Sequence, residues 1–164
     1  MADVLGSGRT SLGQTKPAIV HIAAHILYPK GKPDQALIHL GLKPTGESEA
    51  LTTKDVTSLQ ANGALVVLSG CSSAAGSSVR GAGAMGLTRA WLLAGARGVV
   101  GSRWPVPDDT GELFRSFYSH LSTTGLSRSG LSSALRQARL DMLRSKTWRS
   151  NPSYWGAFYL LTKD

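Results

Sequence analysis

Cysteine is almost missing from this chain: Cys71 is the single one in 164 residues. That excludes an internal disulfide, and no Cys/His cluster has zinc-ligand spacing, so neither cross-links nor a structural metal are expected to hold the fold. Aromatic residues make up only 7%, and none is interleaved with basic residues in the pattern of a nucleic-acid-binding surface. No apolar run approaches the roughly 18 residues that a membrane-spanning helix needs, and the N-terminus MADVLGSGRTSLGQTKP has no apolar stretch of the kind a secretory signal carries. The expectation is a cytoplasmic protein with no membrane partner. Internal repeats of 20 to 50 residues are missing as well, which excludes a solenoid.

Acidic residues are scarce, ten against 18 Lys and Arg, for a formal charge of +8. Much of the excess sits in one late segment, where Arg128, Arg136, Arg139, Arg144, Lys146 and Arg149 face only Asp141. Charge spread in this way reads as a solvated helix face rather than a nucleic-acid site.

What is present is enough for one domain. With 41% hydrophobic residues, a chain of this size buries a core of its own. Residues 1–17, rich in Gly, Ser and Thr, read as a flexible lead-in, and residues 18–164 as the folded domain. The run AIVHIAA (18–24) is too short for a helix and apolar enough for a strand covered on both faces. ILYPKGKPDQ (26–35) reads as a loop, ALIHLGL (36–42) as a strand, and KPTGE as a turn, so a small hairpin follows His25. Thr52 or Thr53 caps a short helix through Leu59, and Asn62-Gly63 breaks the chain before the strand ALVVLS (64–69).

A loop GCSSAAGSSVRG follows, then GAMGLTRAWLLAGA, a helix of about 12 residues closed at Gly95, and a third buried strand, GVVGS (98–102). Strand, helix and strand in that order form a right-handed crossover with parallel strands. Two amphipathic helices come next, one after Asp108 and Asp109 with Leu113, Phe114, Phe117 and Leu121 on one face. The other opens at Ser127 or Ser129 and carries Leu131, Leu135, Ala138 and Met142. WGAFYLL (155–161) closes the chain as a fourth strand. The class is α/β with a mainly parallel sheet.

In open α/β sheets ligands gather beyond the carboxyl ends of the strands. His25 and Cys71 both fall on that rim. An imidazole beside a thiol raises its thiolate fraction and later protonates a leaving amine, so the pair has the chemistry of a nucleophile and its base. A lone cysteine is more often an inert core residue, but Ser-Gly-Cys-Ser-Ser is a poor setting in which to bury a thiol. His21, earlier on the same strand, reads as a hydrogen-bonded structural histidine. His39 and His120 have no partner legible in the sequence.

The blocks HIAAH ending at His25, VVLSGCSS around Cys71, GAGAMGLTRAWLLAGARGVVGSRWPVPDD and YWGAFYLL resemble, in order and context, the CHAT peptidases, a caspase-like group often found beside tetratricopeptide repeats, and their relatives the separases. The resemblance runs from about Val20 to Leu161. It implies a caspase-like fold, a His25/Cys71 dyad, cleavage of a peptide bond in a protein or peptide substrate, and no cofactor. A tetratricopeptide or other regulatory region, in cis or in trans, is the implied partner. Backbone N–H groups of Cys71 and of Ile26 would form the oxyanion hole. The segment Ser102, Arg103 and Trp104 would lie beside the substrate strand, with Trp104 walling a pocket. Asp108 would read a basic residue before the cut, since a carboxylate pairs bidentately with guanidinium; its competing role is to cap the next helix.

Two features depart from that family pattern. Ile26 stands where the family has glycine, and a β-branched residue is strained wherever a positive φ is required. Caspase-like sheets also have strands before the histidine strand, which residues 1–17 do not supply, leaving an unpaired edge at 18–24. A catalytically inactive CHAT scaffold for protein partners is therefore one alternative. A dinucleotide-binding module is another: Gly81-Ala-Gly83-Ala-Met-Gly86 matches G-x-G-x-x-G, and Arg103 could read a 2′-phosphate, although the motif stands far from the preceding strand.

Overall fold

The computed structural model describes residues 18–27, 36–70, 82–106 and 110–163. In chain order the elements are β1 (Ile19–Ile22), β2 (His25–Leu27), β3 (Leu37–Leu42), β4 (Ser48–Thr52) and α1 (Thr53–Ser58). They continue with β5 (Leu65–Leu68), α2 (Ala82–Leu93), β6 (Gly98–Ser102), α3 (Gly111–Thr124), α4 (Arg128–Arg144) and β7 (Phe158–Thr162). Four strands form a sheet in the order β1-β5-β6-β7, and β2-β3-β4 form a second sheet. In the first sheet β1, β5 and β6 run parallel and β7 antiparallel, so it is mixed and mostly parallel. The class is α/β.

β5 shows why this sheet reads as a continuous apolar run. All four of its residues are buried, but they serve two cores. Leu65 and Val67 pack with Val100, Phe114, Phe117, Leu131, Leu135 and Phe158 under α3 and α4. Val66 and Leu68 pack with Val99, Leu87, Trp91 and Val56 under α1 and α2, joined there by Ile26 and Ile38 of the small sheet. Alternate side chains point to opposite faces, so a strand covered on both sides has no polar positions to spare.

The helices begin and end where the local chemistry directs. Thr52 accepts from the Asp55 N–H at 3.1 Å while the Asp55 carboxylate accepts from the Thr52 N–H at 2.8 Å, a reciprocal capping box for α1. α2 closes at Gly95, which has a φ of +97°. The Ala96 N–H donates to Trp91 O and the Gly95 N–H to Leu92 O, satisfying carbonyls at the helix end. Ser127 caps α4 by accepting from the Gly130 N–H.

Several expectations needed correction. The first strand ends at Ile22 rather than Ala24, and His25 opens a new strand, β2, in the second sheet instead of preceding a loop. Pairing with β3 supplies partners that a three-residue segment next to prolines does not advertise. The hairpin expected after His25 is formed by β3 and β4, whose second strand, Ser-Glu-Ala-Leu-Thr, has no apolar alternation of its own; the tight turn at Lys43–Glu47 folds it back onto β3. The N-cap of α3 is Thr110, not Asp108 or Asp109, which lie outside the described residues. The basic segment is not uniformly solvated. Arg128, Arg136, Arg144 and Lys146 are exposed, but the half-buried Arg139 guanidinium donates to Phe158 O, and Arg149 stacks over Trp148 at 4.5 Å and pairs with Glu112 at 3.5 Å. Among the described residues, no strand pairs with the free edge of β1.

Candidate active site

The carboxyl ends of β1, β5 and β6 form one rim of the main sheet. Beside it opens a cleft of about 720 Å³, bounded by that rim, by β2 and β3, and by the first half of α3. His21, His25, His39, Ser69, Gly70 and Tyr118 are among its lining residues.

The rim is shaped by one close approach. A Cβ built on Gly70 would lie 1.5 Å from the carbonyl oxygen of Ala24, so only glycine fits where the chain leaves β5. Ala24 precedes His25 and Gly70 precedes Cys71. The contact thus joins the residues immediately before the two candidate catalytic groups. Cys71 itself lies outside the described residues, as does Asp108.

His25 is exposed at the start of β2, directly opposite His39 of β3. Ile26, the next residue, pairs with Ile38 and buries its side chain in the core under α2. Its φ is not positive, so the left-handed strain considered for a β-branched residue at this position does not arise.

His21 is fixed from both sides. Nε2 lies 2.7 Å from Ser69 Oγ and Nδ1 lies 2.7 Å from Tyr118 Oη, and the ring packs on Phe114 with centroids 5.2 Å apart. In a neutral imidazole one nitrogen donates and the other accepts, and two hydroxyls can satisfy either tautomer. Burial holds the imidazole below its ordinary value and pushes the Tyr118 phenol up to about 12. Both shifts favour the uncharged forms of the chain Tyr118–His21–Ser69. His120 also has a partner, Asp141 Oδ2 at 2.7 Å, which accepts from Ser116 Oγ as well. Those two bonds, Ser116 first, hold the Asp141 carboxyl below its usual range.

The remaining candidates sit at the β6 end of the same rim, beside the cleft rather than lining it. Ser102 pairs with Phe158, the Arg103 N–H donates to Ala157 O at 2.9 Å, and the Arg103 guanidinium lies 5.4 Å from the Tyr159 ring centroid. Trp104 is 43% exposed. α2 begins at Ala82 while β5 ends at Leu68, so strand and helix do not meet in the tight turn that a dinucleotide fingerprint requires. Among the described residues no group of three or more His, Cys, Asp or Glu could hold a metal, and no helix is long and apolar enough to cross a membrane.

Tyr118, Ser69 and His39 were missed as site residues. His39 emerges only from the register of β2 with β3. Tyr118 carries a weak sequence signal, an aromatic with a polar tip one helical turn beyond Phe114, beside the apolar face.

Fold and cleft together define an α/β domain with a ligand-sized opening at the carboxyl edge of its parallel strands. The CHAT domain description matches residues 8–163, and the chain belongs to that family. Tetratricopeptide repeat protein 28 of Homo sapiens is 43% identical over 115 residues, covering 70% of this chain and 4% of that protein. The Mus musculus protein of the same name is 39% identical over 115 residues, with the same coverage. The chain spans about 4% of the length of these curated relatives.

Proposed function

We propose that this chain is a cysteine endopeptidase of caspase-like type that hydrolyses a peptide bond in a protein substrate through Cys71 and His25. The observation that carries the reading is the contact of Ala24 with Gly70, which brings together the two backbone segments from which base and nucleophile follow. The CHAT family is related to caspase-like cysteine peptidases, and the cleft at the rim has room for an extended peptide.

In this reaction the His25 imidazole takes the Cys71 proton, and the thiolate attacks the scissile carbonyl. Backbone N–H groups of Cys71 and Ile26 stabilise the oxyanion. His25 then protonates the leaving amine, an acyl-thioester remains on Cys71, and His25 activates water to hydrolyse it. Asp108 selects a basic residue before the cut, while Ser102, Arg103 and Trp104 border the substrate strand. Residues 18–164 act as the peptidase domain, with a tetratricopeptide region as its regulatory partner, in keeping with the name of the relatives.

A thiol-reactive peptide probe bearing arginine tests this directly. It labels Cys71 in the wild type and loses labelling in His25→Ala; equal labelling of the two would sink the dyad. Intact-mass analysis of candidate substrates, wild type against Cys71→Ala, separates an enzyme from a non-catalytic scaffold.

A further inference from the structure

A second group of side chains in the same cleft is built with more care than the mechanism requires. Ser69 is the last residue before Gly70, and its N–H donates to Ile22 O at 3.0 Å, extending the β1–β5 ladder to the rim. Its hydroxyl is held by His21 of β1, and His21 is held by Tyr118 of α3, each at 2.7 Å. One chain of hydrogen bonds thus crosses from a helix, through the edge strand, to the end of the strand from which Cys71 follows in sequence. All three residues line the cleft with His25.

A histidine that only packs needs one acceptor for its N–H and one donor for its bare nitrogen, and backbone C=O and N–H groups can supply both. His21 instead spends both ring nitrogens on side-chain hydroxyls from two other elements. Each of the three side chains fixes the rotamer of the next, and the last is two residues from the nucleophile. Placing a reacting atom to within a fraction of an ångström needs such support, because backbone ladders alone leave a strand end free to fray.

We propose that Tyr118 and His21 are positioning residues, which act through Ser69 to set the end of β5, the strand from which Cys71 follows in sequence. The inference rests on the peptidase reading for its catalytic consequence. Its mechanical content, that the hydroxyl–imidazole–hydroxyl chain holds the end of β5 and is felt in the reactivity of the cysteine two residues on, does not depend on peptide cleavage.

The test uses the whole chain and three variants: Tyr118→Phe, Ser69→Ala and Tyr118→His. The first two remove a hydroxyl with little change of volume, and the third offers a different hydrogen-bonding tip. Two quantities are read for each: the rate of Cys71 alkylation by iodoacetamide as a function of pH, and kcat and KM on a peptide substrate per titrated thiol. Positioning predicts that Tyr118→Phe and Ser69→Ala move the alkylation profile and lower kcat about tenfold with KM little changed, and that Tyr118→His restores part of both.

A merely structural role predicts a lower melting temperature with an unchanged alkylation profile and unchanged kcat per titrated thiol, and that result overturns the proposal. If the wild type cleaves nothing, and its alkylation profile does not respond to His25→Ala, the peptidase reading fails. The Tyr118→Phe and Ser69→Ala profiles still decide the positioning role on their own: a shift upholds it, and coincidence with wild type rejects it.

Discussion

Gly70 and Ala24 stand so close that a single methyl on Gly70 would overlap the Ala24 carbonyl oxygen. The main sheet and the small sheet meet at this point, since Ala24 lies between β1 and β2 and Gly70 follows β5.

Gly70→Ala therefore cannot be absorbed by side-chain rotation, because the obstacle is backbone. The expected cost is about 1–3 kcal/mol, the range for overpacking a tight site, together with a sharp loss of Cys71 labelling by the peptide probe. Urea unfolding measures the first effect and mass-detected labelling the second. Stability and labelling both at wild-type levels would show that the contact is not needed.

His21 gives the fold an acid-sensitive step. In the unfolded chain its imidazole takes up a proton near 6.5, while burial lowers that value in the folded protein. Between the two values the unfolded state binds more protons, so stability rises with pH there. The contribution is complete above about pH 6.5 and is lost as pH falls through the folded value. A melting series from pH 7.5 to 5 should show the wild type losing stability, with a flatter slope in His21→Gln.

Thr52→Ala removes the hydroxyl that caps α1 by accepting from the Asp55 N–H, while the bond from the backbone N–H of residue 52 to the Asp55 carboxylate remains. Loss of such a cap costs about 1 kcal/mol. Chemical denaturation should show this as a shifted midpoint with an unchanged slope, and hydrogen exchange should quicken in residues 53–58.

Phe117 is fully buried in the core shared by α3, α4 and the sheet. Phe117→Ala should cost about 3–5 kcal/mol, a large part of the stability of a domain of this size. Thermal unfolding followed by circular dichroism would detect it; a change below about 1 kcal/mol would mean that this core repacks freely.

The parts legible in the sequence are those that rest on local signals. The all-apolar run at β5 and the strand at Gly98–Ser102 were readable from composition. So were the caps of α1 and α4, each to within two candidates (Thr52 or Thr53, Ser127 or Ser129), the Gly95 terminator and the apolar faces of α3 and α4, because each needs only a few neighbouring residues. β2 was not, since three residues beside prolines become a strand only through β3, and pairing register is a long-range property. The site shows the same divide. His25 was placed on the rim by its neighbourhood, but its own strand and its neighbour His39 were not foreseen. His21 was read as a satisfied histidine, yet its partners Ser69 and Tyr118 lie 48 and 97 residues away in sequence.

His25 and the strand leading to Cys71 belong to different sheets, with only Ala23 and Ala24 between the end of β1 and the start of β2. The small sheet turns its buried face to the core under α2 and leaves Leu27, Leu40 and Leu42 accessible. With His25 carried on one sheet and the end of β5 on the other, their separation becomes a matter of leverage: a load on the exposed leucines would swing the imidazole while leaving the last residues of β5 in place.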